Sequence, residues 1–206
     1  MRSIVFLFLF WSCVVTASTL SEPRSSLVGI SVCDVVLFAS GINSSYANGY
    51  SDKVDIFNYT SNMWSTATLS QPRAYLATTA VGPLAFFAGG MSVNYSIFLY
   101  HNTVDIYNCT SNTWNTSSLS QGRSNLAATS IGNLAIFAGG NGHNVYYDIV
   151  DIYNVMTKTW TTATLSQARS NLVATSVGNV ALIAGGSFVS SLTFVYSDRV
   201  DIFNFT

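Results

Sequence analysis

His101 and His143 are the only histidines in the chain. Each stands among tyrosines: Tyr95 and Tyr100 near the first, Tyr146 and Tyr147 near the second. Histidine and tyrosine together could ligate copper, but such a centre needs a tight ligand set, and these two histidines lie in separate segments without a ligand spacing. Loop histidines on a contact surface are the better reading. No Ser-His-Asp set, glycine-rich phosphate loop or zinc spacing is present. The residues point to a non-enzymatic protein with no cofactor and no metal.

Two further series carry charge at regular places. Asp55, Asp105, Asp151 and Asp201 each sit inside one phrase, Val-Asp-Ile-(Phe/Tyr)-Asn, which starts at Val54, Val104, Val150 and Val200. A catalytic carboxylate has no need of four copies. A repeated structural carboxylate that accepts backbone N–H bonds does. Arg24, Arg73, Arg123 and Arg169 recur with the same period. They are open to two readings: bonding carbonyls between repeat units, or contributing Arg73, Arg123 and Arg169 to a ligand-binding face.

The elements that must position these residues follow from the repeat. Phe87-Ala88-Gly89-Gly90, Phe137-Ala138-Gly139-Gly140 and Ile183-Ala184-Gly185-Gly186 end an apolar run in a glycine pair, with a worn copy at Phe38-Ala39-Ser40-Gly41. Trp64, Trp114 and Trp160 each follow the Val-Asp-Ile phrase. Units of this length are single supersecondary elements that bury their apolar faces only by stacking on one another. Gly132-Asn133 and Gly178-Asn179 between apolar runs favour tight hairpins. β-branched and aromatic residues dominate, so the chain is all-β with about four short strands per unit. The units span about 24–72, 73–122, 123–168 and 169–206, and the fourth stops before its tryptophan strand.

A glycine pair, a downstream tyrosine and a tryptophan seven residues further on (Tyr107 to Trp114, Tyr153 to Trp160) resemble the kelch repeat. The resemblance implies a β-propeller in which each unit is a four-stranded blade, here about four blades and an incomplete, open ring. Closure would then come from more blades, from self-association, or within the chain. For the last route, Thr19 to Arg24 align with Thr68 to Arg73, so the N-terminus could supply the strand that the fourth unit lacks. The resemblance also implies that partners bind loops on one face. Those are the non-repeating segments before each Val-Asp-Ile phrase, with Tyr46, Tyr50, Tyr95, Tyr100, His101, His143, Tyr146, Tyr147 and Tyr196 as candidate contacts. Tyr-, Ser- and Asn-rich loops of this kind suit adaptable surfaces.

Of the 206 residues, 49% are hydrophobic and only 8% charged, against the roughly 25% charged of ordinary domains. A net charge of −1 with no basic cluster excludes nucleic acid as a partner. Residues 1–17 read as a secretory signal: Arg2, an apolar run from Ile4 to Trp11, and small residues at Val15-Thr16-Ala17. The run is short of a bilayer span, so no stable membrane span is expected, with an uncleaved anchor as the alternative. Asn43, Asn58, Asn94, Asn108, Asn115 and Asn204 head Asn-x-Ser/Thr sequons, consistent with a secreted glycoprotein. Cys33 and Cys109 remain after signal removal, and their pairing is left open. Residues 18–206 thus read as a secreted binding or scaffold module for a protein or glycan. Two other readings stand beside it: the propeller part of a galactose-oxidase-like or carbohydrate-active enzyme, and a truncated fragment without independent function.

Overall fold

The computed structural model describes residues 17–46 and 48–205. The expected leader, up to residue 16, lies outside the described residues. Those described form an all-β chain of four sheets and three small ribbons. None of them forms a helix long and apolar enough to cross a membrane.

The first sheet runs in the order β1 (Val28–Val32), β2 (Val35–Ala39), β3 (Lys53–Asn58) and β4 (Met63–Thr68), antiparallel throughout. The second unit begins with β5 (Ala77–Val81) and β6 (Leu84–Ala88), and continues through a ribbon of β7 (Met91–Asn94) and β8 (Ile97–Tyr100). It closes with β9 (Thr103–Asn108) and β10 (Thr113–Ser118), which complete the second sheet. In the third unit these places are taken by β11 (Ala127–Ile131), β12 (Leu134–Ala138), the short ribbon β13 (Asn141–Gly142) and β14 (Val145–Tyr146), β15 (Ile149–Asn154) and β16 (Thr159–Thr164). The fourth has β17 (Val173–Val177), β18 (Val180–Ala184), the ribbon β19 (Ser187–Ser190) and β20 (Thr193–Tyr196), and β21 (Val200–Asn204). Its sheet is three-stranded, without an outer tryptophan strand.

Alternation along each strand gives every sheet two different faces. One face carries Leu37, Val54 and Ile56 in the first sheet, with Phe86, Val104 and Ile106 in the second. The other carries a set of tilted aromatic rings: Phe87, Tyr107 and Trp114 in the second sheet, and Phe137, Tyr153 and Trp160 in the third, with ring centroids 4.9–6.0 Å apart. Successive sheets pack the first kind of face on the second. Leu37 and Val54 thus share a core with Phe87 and Tyr107. Phe86 meets Phe137 and Tyr153 edge-on at 6.2 and 5.7 Å. Full burial of each such side chain stabilises the stack by about 1.5–3 kcal/mol. The inner strands β1, β5, β11 and β17 lie side by side in chain order.

The glycine pairs serve this stacking. Gly139 and Gly140 have φ of +64° and +106°. A side chain on Gly139 would meet the Arg169 carbonyl oxygen at 2.7 Å, in the next unit. The Gly140 N–H donates to that same carbonyl, 2.9 Å away. Cys33 and Cys109 form a disulfide that ties the β1–β2 turn to the β9–β10 turn, joining the first two sheets.

Segments expected as plain loops are in part the ribbons β7–β8, β13–β14 and β19–β20. Thr19 to Arg24 do not form a strand on the fourth sheet. They lie against the first, where the Ser21 N–H donates to Asp55 as the Ser70 N–H does to Asp105.

Candidate functional site

The repeated charges find each other. Arg24, Arg73, Arg123 and Arg169 pair with Asp55, Asp105, Asp151 and Asp201, and each guanidinium has no solvent exposure. Arg123 donates from Nε to the Gly139 carbonyl at 2.8 Å and from Nη2 to the Phe137 carbonyl at 3.2 Å. Arg169 repeats this with Gly185 and Ile183. Each aspartate also accepts a backbone N–H from a serine, Ser21, Ser70, Ser120 or Ser166. Burial pushes the Asp55 and Asp201 carboxyls up, but these hydrogen bonds and the adjacent arginine outweigh it and hold both below the ordinary carboxylate range. Arg73, Arg123 and Arg169 are therefore not ligand-face residues: all three are fully buried inside the stack, with Arg73 Nε lacking a hydrogen-bond partner there.

An open recess lies where the first two units meet. A cleft of about 570 Å³ opens between Asn48 and the β7–β8 ribbon. Its polar lining is Asn48, Gln71, Ser92, Asn94 and His101, and its apolar lining includes Phe98, Leu99 and Tyr100. A second groove, of about 370 Å³, is lined by Asn48, Val93, Asn94, Tyr95 and Ser96. The two share Asn48, Val93 and Asn94 and so adjoin along the ribbon.

One substitution within the repeat creates this cleft's chemistry. Ser51, His101, Tyr147 and Ser197 occupy equivalent places, each N–H donating to the second glycine of its own pair. In the first unit the Ser51 hydroxyl donates to Glu22, and in the fourth Ser197 donates to Gln167 at 2.8 Å. Glu22, Gln71 and Gln167 are likewise equivalent, each two residues before its arginine. In the second unit the hydroxyl is replaced by His101, which turns instead to the Ser92 hydroxyl, 2.8 Å from its Nε2. Gln71 Oε1 is left buried and without a partner. An unpaired buried acceptor costs free energy, which a ligand hydroxyl would recover once the half-buried Gln71 side chain turns into the cleft.

Burial, aided by Arg73, lowers the His101 pKa below its ordinary value, so the ring is neutral at physiological pH. Among the described residues, no Asp, Glu, Lys or Arg lines the cleft. A Ser–His pair is the start of a nucleophile set, but among the described residues no carboxylate bonds the other ring nitrogen to orient it. Nor does any group of three His, Cys, Asp or Glu side chains there stand where it could hold a metal ion.

The other expected contacts divide by place. Tyr100 and His101 line the cleft, and Tyr95 lines the adjoining groove. Tyr50 is half-buried, and its pKa is raised by burial and by the neighbouring Tyr75 and Tyr100. Tyr46 donates to Glu22. His143, Tyr146, Tyr147 and Tyr196 belong to the third and fourth units and do not line this cleft. Asn48, Gln71 and Ser92 were not expected. Gln71 was hidden because its equivalents Glu22, Gln121 and Gln167 make it look like part of the repeat.

Of the sequon asparagines, Asn94, Asn115 and Asn204 are exposed. Asn58 and Asn108 cap turns, their side-chain oxygens accepting from Ser61 and from Thr110 and Ser111. Asn43 is buried and accepts from the Ser45 N–H, so the folded chain does not offer it for glycosylation.

No protein-family model matches the chain, and no curated protein matches it. Among solved structures, one titled "Structure of YjhT" superposes on 90% of this chain and 70% of its own, with a TM-score of 0.72 at 15% identity. The fold is propeller-like. At that identity the likeness speaks for the fold alone.

Proposed function

We propose that this chain is a secreted, non-catalytic, kelch-type propeller segment that binds neutral saccharides through the cleft between its first two units. The observation that carries this reading is the unpaired Gln71 acceptor in a recess with Ser92, Asn94, Tyr100 and His101. Saccharides present many hydroxyl donors beside apolar ring faces, which suits a few convergent polar groups set among Tyr100, Phe98 and Leu99. The uncharged lining and neutral His101 favour a ligand without charge. The Cys33–Cys109 bond and the exposed sequons support passage through an oxidising, glycosylating compartment.

A glycan array probed with the secreted protein tests the reading. Retention of neutral glycans is expected, with stronger signal from Ser96→Ala, which removes the Asn94 sequon and frees the groove of its own glycan. Failure to retain any glycan, or retention of charged glycans alone, would overturn it.

A further inference from the structure

We infer that the groove between the second and third sheets seats an N-glycan that the chain itself carries at Asn115. The inference rests on the reading of the chain as secreted, since that route attaches such a glycan. It does not involve the saccharide cleft, which lies between the first two units.

The groove has a volume of about 450 Å³, in the range of small-ligand sites. Leu84, Ile106 and Asn115 line it from the second sheet, and Tyr153, Lys158 and Trp160 from the third. Both sheets are internal to the stack: β5 packs between β1 and β11, and β11 between β5 and β17. Asn115 pairs with Ile106 across β9 and β10, which puts both on the aliphatic face turned toward the third sheet. It is exposed, and it heads the sequon Asn115-Thr116-Ser117.

Two departures from the repeat give this groove its chemistry. Asn115 stands where the other tryptophan strands carry Ser65 and Thr161. Lys158 stands where the other turns carry Asn62 and Asn112, all three with φ of +52° to +58°. In the second unit Asn112 Oδ1 accepts from the Tyr107 hydroxyl at 3.1 Å. A lysine cannot accept, so the Tyr153 hydroxyl is left to the groove.

Trp160 is held in place from the other side. Its Nε1 donates to Ser117 Oγ, 2.8 Å away. Ser117 is also the third residue of the sequon, so the hydroxyl that marks Asn115 for modification fixes the ring beside it. An N-acetylglucosamine on Asn115 lays an apolar ring face on the indole and presents hydroxyl and acetamido oxygens to Tyr153 and Lys158. Seated there, it bridges β10 and β16, the outer strands of two sheets. Asn108 lines the same groove and heads a sequon, but its side-chain oxygen already accepts from Thr110 and Ser111 in the turn.

The test uses the full chain made in cells that attach high-mannose glycans. Site-resolved mass spectrometry should find Asn115 occupied. Protein trimmed by endoglycosidase to one N-acetylglucosamine per site should melt with the untrimmed form, because the seated sugar is the first one. Asn115→Gln should melt about 2–4 °C lower, the shift of one lost stacking contact in a chain of this size. In unglycosylated protein from the bacterial periplasm, where the disulfide still forms, the same substitution should leave melting unchanged. Nuclear Overhauser contacts between the trimmed sugar and the Trp160 indole are expected. An unoccupied Asn115 beside occupied sequons overturns this inference and leaves the secretory reading standing. Absence of glycan from every sequon overturns both. An occupied Asn115 whose sugar neither contacts Trp160 nor alters melting also overturns the inference.

Discussion

Arg123 Nη1 lies 2.7 Å from Asp151 Oδ2, and both side chains are sealed from solvent. The pair joins the start of the third unit to its Val-Asp-Ile strand, while the Arg123 backbone carbonyl accepts from Gly90 in the second. Strand, link and neighbouring unit thus converge on one residue. What recurs in every unit is spent on assembling the stack.

Breaking one partner of such a buried pair leaves the other uncompensated, at a cost of about 3–5 kcal/mol. Asp151→Ala should lower the urea midpoint by that equivalent. Asp201→Ala should cost less, because the Asp201 side chain is 13% exposed and water can hydrate what remains. Urea unfolding of both variants checks the order, and equal losses would contradict it.

Acid should unfold the chain through these carboxylates. Asp55 and Asp201 titrate lower in the fold than the ordinary 3.8, so the unfolded state binds protons more readily as pH falls. Their stabilisation is complete well above 3.8, declines as the pH drops past that value, and is gone below the folded pKa. Thermal melts should be insensitive to these groups from neutral pH down to about pH 5 and then fall. Melting temperatures that stay level into the acid range would count against it.

The Cys33–Cys109 bond closes 76 residues of chain and ties two sheets. Loop-closure entropy for that length gives a stabilisation of about 4–5 kcal/mol. Denaturation with and without reductant measures it, and Cys33→Ser should reproduce the reduced protein. An unchanged midpoint on reduction would show that the bond contributes nothing.

Two glycines separate conformation from contact. Gly132 has φ +51° and open space where a methyl group would sit, so Gly132→Ala should cost about 1 kcal/mol. At Gly139 the methyl would also overlap the Arg169 carbonyl and Leu172, adding about 1–3 kcal/mol of packing strain. Comparing the two variants by chemical denaturation tests whether the pair serves close approach between units.

Much of this architecture was legible because periodic residues report on what every unit shares. The Val-Asp-Ile strand, the tryptophan strand and the glycine pair each land on one element of a sheet. The pairing of Arg123 with Asp151 was not legible, since two series of equal period carry no information about which member meets which. The disulfide was hidden for a related reason. Cys33 stands where other units place glycine, and Cys109 where they place Tyr59 and Val155, and only the packing of adjacent sheets brings the two turns together. Tyr100 and His101 stood out by type. Gln71 did not, because its distinction lies in the partner that His101 withholds from it.

Calorimetric titration of a glycan retained on the array, into the wild type and into Gln71→Ala, Tyr100→Ala and Tyr196→Ala, is the most direct test of the binding cleft. Loss of one hydrogen-bonding or stacking partner should weaken binding by about tenfold or more at Gln71 and Tyr100. Tyr196→Ala, on the fourth unit's ribbon and outside the cleft, should bind as the wild type does. Undiminished binding by the Gln71 and Tyr100 variants, or loss on changing Tyr196 alone, would contradict the account.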